Sequence, residues 1–147
     1  MPYEEALELQ RELVEDRRQD RIPDTLLLVE HPPVFTLGRR RGAMANVIHA
    51  GDTPVVEVER GGDVTWHGPG QLVGYPIFAL VEGEQDLHLV LRRLEDALIN
   101  VIESCGLPAG RRPDYTGVFS GQHKLVSLGI AVKGWVTYHG FALNVDP

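Results

Sequence analysis

Residues 125–145 read LVSLGIAVKGWVTYHGFALNV, two apolar stretches of strand length with a Lys133-Gly134 break between them. Such a pattern predicts strands over 125–132 and 136–145 joined by a tight hairpin, and therefore an antiparallel sheet. Residues 117–120 add a short strand before them. Further back, residues 25–30, 34–37, 55–58 and 71–80 are compact apolar runs of strand length, the last carrying Pro76 at an edge or bulge position. Two helical patterns flank these runs. Residues 3–20 place Tyr3, Ala6, Leu7, Leu13 and Val14 on one face until Pro23-Asp24 stops the pattern. Residues 86–105 carry Leu87, Val90, Leu91, Leu94, Leu98, Val101 and Ile102 on one stripe, with Asp86 as N-cap and Gly106 as C-terminal cap. Strands in blocks with helices between them give the α+β class: one largely antiparallel sheet with helices against one face.

The chain has 147 residues, 43% hydrophobic and 24% charged, which suits one domain with a real core. No apolar run is long enough to span a bilayer, and the acidic start, Met1-Pro2-Tyr3-Glu4-Glu5, is the wrong chemistry for a leader. A single cysteine makes no internal disulfide, so a reduced, cytoplasmic location is expected. The net charge of −7 argues against nucleic acid as a partner. Its distribution is uneven. Residues 31–51 hold no acid but carry Arg39, Arg40 and Arg41, which suits either a solvated loop or a docking place for an acidic partner.

Residues 60–71, RGGDVTWHGPGQ, hold four glycines in twelve positions, interleaved with Arg60, Thr65, His67 and Gln71. A backbone that bends so sharply can present N–H groups and an imidazole to a carbonyl or thioester. It equally suits an irregular connection holding a buried, satisfied histidine. The order matches neither a phosphate loop nor a dinucleotide loop. Lys124 can depress a neighbouring thiol's pKa or simply face solvent, and His139 is either a site residue or a hydrogen-bonded core histidine. Histidines at 31, 49, 67, 88, 123 and 139 show no HxxxH or HxH spacing, so no metal site is expected. Cys105 falls on the stripe of the second helix near its C-terminal end, which predicts a buried, inert thiol.

Four blocks, EHPPVFTLGRR, RGGDVTWHGPGQLVGYP, KLVSLG and YHGFALNV, resemble in order and spacing the lipoyl(octanoyl) transferase family. The resemblance implies a fold like the catalytic domain of biotin and lipoate-protein ligases, over a single acyltransferase domain at 1–147. It implies transfer of an octanoyl group from acyl carrier protein, through an enzyme thioester, to a lysine of lipoyl domains of 2-oxoacid dehydrogenases or the glycine-cleavage H protein. No cofactor is implied, since octanoyl-phosphopantetheine is a substrate, and neither nucleic acid nor membrane is a partner. Lys124 matches the lysine that lowers the nucleophile's pKa. Substrate-binding positions carried over by match are Arg60, Gly61, Gly62, Asp63, Val64, Thr65, Trp66 and His67, then Ser127, Leu128 and Gly129, then Gly140, Phe141 and Ala142. The family's nucleophilic cysteine sits in an Asn-Pro-Cys-Gly type motif after the ALNV strand. No residue before Pro147 matches it, so the C-terminal part is expected to be missing and the 147-residue chain inactive by itself. The alternatives are an ATP-dependent lipoate or biotin ligase and a non-catalytic acyl or carrier-protein binding module.

Overall fold

The computed structural model describes residues 1–47 and 50–146; His49 and Pro147 of the sequence reading lie outside them. Helix α1 (Tyr3–Arg18) leads into strands β1 (Thr25–Val29) and β2 (Val34–Leu37) and a 3-10 turn at Ala43–Asn46. Strands β3 (Val55–Glu57), β4 (Val64–His67) and β5 (Gln71–Ile77) precede helix α2 (Leu87–Ser104). Strands β6 (Val118–Ser120), β7 (His123–Lys133) and β8 (Val136–Asn144) complete the order. The α+β class holds, with the strands divided between two sheets. Five form an antiparallel sheet in the order β1-β5-β8-β7-β6, and three form a small sheet in the order β3-β2-β4. In the small sheet β2 runs parallel to β3 and antiparallel to β4.

The β7–β8 hairpin forms as expected, one residue later. Lys133 pairs with Val136, and the turn is Gly134-Trp135, both at positive φ (54° and 58°). Two left-handed central residues match the right-handed twist of the flanking strands.

The helices cover opposite faces of the large sheet rather than one. Ala6 of α1 packs with Val73, Tyr75 and Ala142, whereas Leu98 and Ile102 of α2 pack near Phe141 and Leu143. Ala142 and its neighbours in sequence must point to opposite faces, because side chains alternate along a strand. Helix α1 has Glu4 and Glu5 in its first turn and Arg17 and Arg18 in its last, which complements its dipole. Its buried stripe is Tyr3, Ala6, Leu7, Gln10 and Val14, so a glutamine stands in the core.

Helix α2 is capped as expected: the Asp86 side chain accepts from the His88 and Leu89 N–H groups, and Gly106 takes φ 86°. Its stripe needs correction. Val101 is exposed, and Cys105 is exposed as well, because it is the C-cap and nothing packs over the helix end. Glu95, absent from the apolar pattern, is fully enclosed.

The β5–β8 ladder is interrupted at its middle. Residues 71–74 pair with 144–141, and Ala79 bridges Val136 in the same register. Continuing that register puts Pro76, which has no N–H to donate, opposite His139. There the chain takes φ 55° at His139, and its backbone N–H donates instead to Gln10 Oε1 at 2.8 Å. Pro76 is therefore in an inner strand at a ladder break, not at a sheet edge.

Candidate active site

The segment 60–71 is less irregular than its glycine content suggests. Val64–His67 is a strand, β4, paired with β2, because a β-branched and aromatic core (Val64, Thr65, Trp66) survives between the glycine turns. Arg60 ties the turn before it to β2. Its buried guanidinium donates to Thr36 O (2.9 Å), Thr36 Oγ1 (2.8 Å), Gly61 O (3.0 Å) and Asp63 O (3.0 Å). Burial draws its pKa down from the usual arginine value. The turn then lies against Gly129 of β7, where a side chain has no room: a Cβ there would stand 2.8 Å from Gly61 O and 3.2 Å from Arg60 Cδ. Gly129→Ala is accordingly expected to push the turn off the sheet. A loss of about 1–2 kcal/mol in urea unfolding is the expected result.

His67 is buried and satisfied. Burial lowers its pKa to about 4, so the ring is neutral at pH 7. Its Nδ1 lies 2.7 Å from Gln71 Oε1 and its Nε2 3.4 Å from Thr36 Oγ1. Gln71 Nε2 donates to Trp66 O and Asn144 Oδ1, so its Oε1 is the acceptor and Nδ1 of His67 carries the proton. Asn144 Nδ2 donates onward to Lys124 O at 3.3 Å.

Above the large sheet, between it and this turn, runs a cleft. Arg60, Thr65 and His67 form one wall; Ser127, Leu128 and Gly129 of β7 and Gly140, Phe141 and Ala142 of β8 form the floor. The structure thus brings together these nine of the positions singled out from sequence. Gly61, Gly62, Asp63, Val64 and Trp66 do not line it. Trp66 is 37% exposed, and Asp63 serves the turn itself, accepting from Asn46 Nδ2 and the Val64 N–H. The Asn46 hydrogen bond is the main reason its carboxyl titrates below the usual range. Lys124 does not line the cleft either. It sits at the start of β7 with its Nζ 5.9 Å from the Phe119 ring centroid, and partial desolvation lowers its pKa.

Several cleft residues escape the sequence reading. Tyr3 and Tyr75 close the cleft at the α1 side, and burial raises both hydroxyls, Tyr3 to about 12. Tyr75 Oη lies 2.7 Å from His31 Nε2, while the Tyr3 ring stacks on His67 at 6.0 Å. The available signal was a tyrosine within each buried apolar pattern, since a buried phenol needs a polar partner. His139 reaches the cleft too, but neither of its ring nitrogens has a hydrogen-bond partner, unlike an ordinary core histidine. Among the described residues no group of three His, Cys, Asp or Glu side chains is placed to hold a metal ion. None of the described helices is long and apolar enough to cross a membrane.

A cleft walled by a glycine-rich turn over an antiparallel sheet defines the class. The chain belongs to the lipoyl protein ligase A/B catalytic domain family, whose model matches residues 2–147. Within it, the chain is 50% identical over 149 residues to an octanoyltransferase of Gloeobacter violaceus, covering 100% of this chain and 67% of that protein. It is 51% identical over 145 residues to an octanoyltransferase of Geobacter metallireducens, covering 99% and 67%. The chain therefore spans about two thirds of the length of the curated relatives it matches. Among solved structures, a lipoate-protein ligase A crystallised with ATP superposes with a TM-score of 0.71 at 17% identity, over 95% of this chain and 63% of that one. That likeness establishes the fold.

Proposed function

We propose that the protein transfers an octanoyl group from the phosphopantetheine thioester of acyl carrier protein to a lysine ε-amine on lipoyl domains of 2-oxoacid dehydrogenases and the glycine-cleavage H protein. An enzyme thioester is the intermediate, and the octanoyl-phosphopantetheine arm enters as substrate. The observation that carries this reading is the 50% identity to an octanoyltransferase along the whole chain.

The geometry supplies parts for each step. The bare backbone at Gly129 and Gly140 lets the Arg60 turn and β5 close tightly around the cleft, and Ser127 offers a hydroxyl on its floor. Lys124, with its ammonium partly withdrawn from water, would lower the pKa of a thiol brought beside it. The acid-free loop is tied to the cleft wall, since the Arg39 N–H donates to Arg60 O and the Arg40 N–H to Gly62 O. Arg39, Arg40 and Arg41 there suit an acidic carrier protein. Cys105 lines no part of the cleft and lies at the exposed end of α2. No residue among 1–147 stands in an Asn-Pro-Cys-Gly context.

The test incubates the intact protein with octanoyl-acyl carrier protein and apo-lipoyl domain, with and without ATP, and reads octanoyl-lysine by mass spectrometry. Transfer without ATP is expected. A requirement for ATP and free octanoate would establish a ligase instead, and binding with no transfer a non-catalytic module. Cys105→Ser should leave the rate within about twofold, as for a surface substitution that touches no machinery.

A further inference from the structure

Two pairs of consecutive residues face different cavities. Arg60 and His139 line the cleft, whereas Glu59 and Tyr138 line a second cavity of about 160 Å³ together with Arg11, Val14 and Lys133. The partition between the two spaces is therefore one residue thick at this point. Across it, Glu59 Oε2 faces His139 Nε2 at 3.5 Å. His139 is 1% exposed, and neither of its ring nitrogens, nor Glu59 Oε2, nor the Nε2 amide of the fully buried Gln10 has a hydrogen-bond partner.

This arrangement is costly. The ladder is broken at Pro76, His139 occupies a left-handed φ of 55°, and an imidazole is buried with both nitrogens unpaired. Packing alone would be served as well by an apolar residue. The groups facing the ring come from every element around it: Glu59 and Arg60 from the connection before β4, His67 from β4, Gln10 and Arg11 from α1, and Tyr138 from its own strand. Burial keeps the imidazole neutral, with a pKa of about 4. For Glu59 burial opposes ionisation, but the Arg11 hydrogen bond at 2.8 Å prevails and holds its carboxyl below the usual range. At 3.5 Å the two atoms are not hydrogen-bonded, and the tautomer a neighbouring carboxylate favours carries its proton on Nε2 and keeps a lone pair on Nδ1.

We propose that Glu59 and His139 form a proton outlet from the cleft to the second cavity, used when an amine attacks a thioester held in the cleft. This rests on the acyl-transfer reading above. When a lysine ammonium reacts with the thioester, the C–N bond forms and the C–S bond breaks with its electron pair on sulfur. The nitrogen sheds two protons: one converts the enzyme's leaving thiolate to a thiol, and the other must leave a site covered by the docked lipoyl domain. His139 Nδ1 takes that proton, the Nε2 proton passes to the Glu59 carboxylate, and water in the second cavity carries it away.

The experiment separates the two half-reactions in the intact protein. Glu59→Gln is expected to slow amide formation from the acyl-enzyme by about tenfold to a hundredfold, with formation of the acyl-enzyme at its original rate. Glu59→Asp should recover part of the loss. His139→Asn, which tolerates the left-handed backbone, should match the Glu59→Gln defect. Equal slowing of both half-reactions would mark a merely structural role and overturn the proposal, as would wild-type rates in both variants. A readout independent of activity is the ¹⁵N spectrum of the histidine ring, which should show His139 as the Nε2–H tautomer at pH 7. An Nδ1–H tautomer would overturn the relay even where transfer proceeds. Absence of octanoyl transfer in the wild type would instead defeat the acyl-transfer reading, leaving the tautomer to decide the relay geometry.

Discussion

Arg60→Met is expected to destabilise the protein by about 3–5 kcal/mol, the largest effect of any substitution considered, measured as a lowered urea midpoint. Methionine matches much of the volume, so the loss comes from hydrogen bonding. The carbonyls of Thr36 and Gly61 and the Thr36 hydroxyl would lose this donor, while Asp63 O keeps the Gly38 N–H at 3.1 Å. Each orphaned acceptor costs on the order of 1–3 kcal/mol, partly offset because a charged group no longer has to be desolvated. Arg60→Lys should recover less than half. A lysine presents three donors from one point and cannot reach β2 and the turn at once as the guanidinium fork does. Ligand binding in the cleft should fall with both variants, because the turn that Arg60 holds is the cleft wall.

Glu95→Ala is the second, with an expected loss of about 2–4 kcal/mol. The carboxylate is fully enclosed and accepts from Arg92 at 2.7 Å, Arg111 at 2.7 Å and the Gly117 N–H at 3.0 Å. Both arginines are partly exposed and can turn to water, so the cost is chiefly the cavity and the orphaned Gly117 N–H. Burial raises the Glu95 pKa, but the Gly117 and arginine hydrogen bonds outweigh it and the net shift is downward. A carboxyl with a depressed native pKa stabilises the fold above its unfolded value of 4.5 and ceases to do so as the pH falls through the native value. The variant should therefore lose the part of acid sensitivity that lies below pH 4.5.

The strands of the large sheet and both helix caps were legible because they depend on local pattern: apolar runs, a Gly-containing turn, Asp86 and Gly106. Strand β4 was not, since glycines on either side mask a four-residue strand that exists only through its pairing with β2. The parallel β2–β3 pair was hidden for a related reason, since nothing in either short run states its partner or direction. Cys105 was misread because helical periodicity continues past the last residue that the sheet supports. The four family blocks led to the cleft's floor and wall. They did not lead to Tyr3, Gln10 or Glu59, whose importance comes from α1 and the approach to the turn folding over β8. Lys124 stands apart from the cleft because its strand end lies over Phe119, a contact made by tertiary packing.

Gln10 and His139, joined by one hydrogen bond, are separated by 129 residues. The N-terminal helix thus completes a cleft whose floor is the last strand, and β8 itself is inserted between β5 and β7. Closing so long a loop is entropically expensive and rewarded late, so topology of this kind folds slowly. During synthesis α1 emerges well before β8: Tyr3 and Leu7 can pack against Val34 and Val58 early, whereas Ala142 and the Gln10–His139 hydrogen bond, which complete the cover of the helix, come only with β8. Until then the part of the helix face around Ala6 and Gln10 is only partly covered, and a nascent chain with such a surface is open to association with other chains.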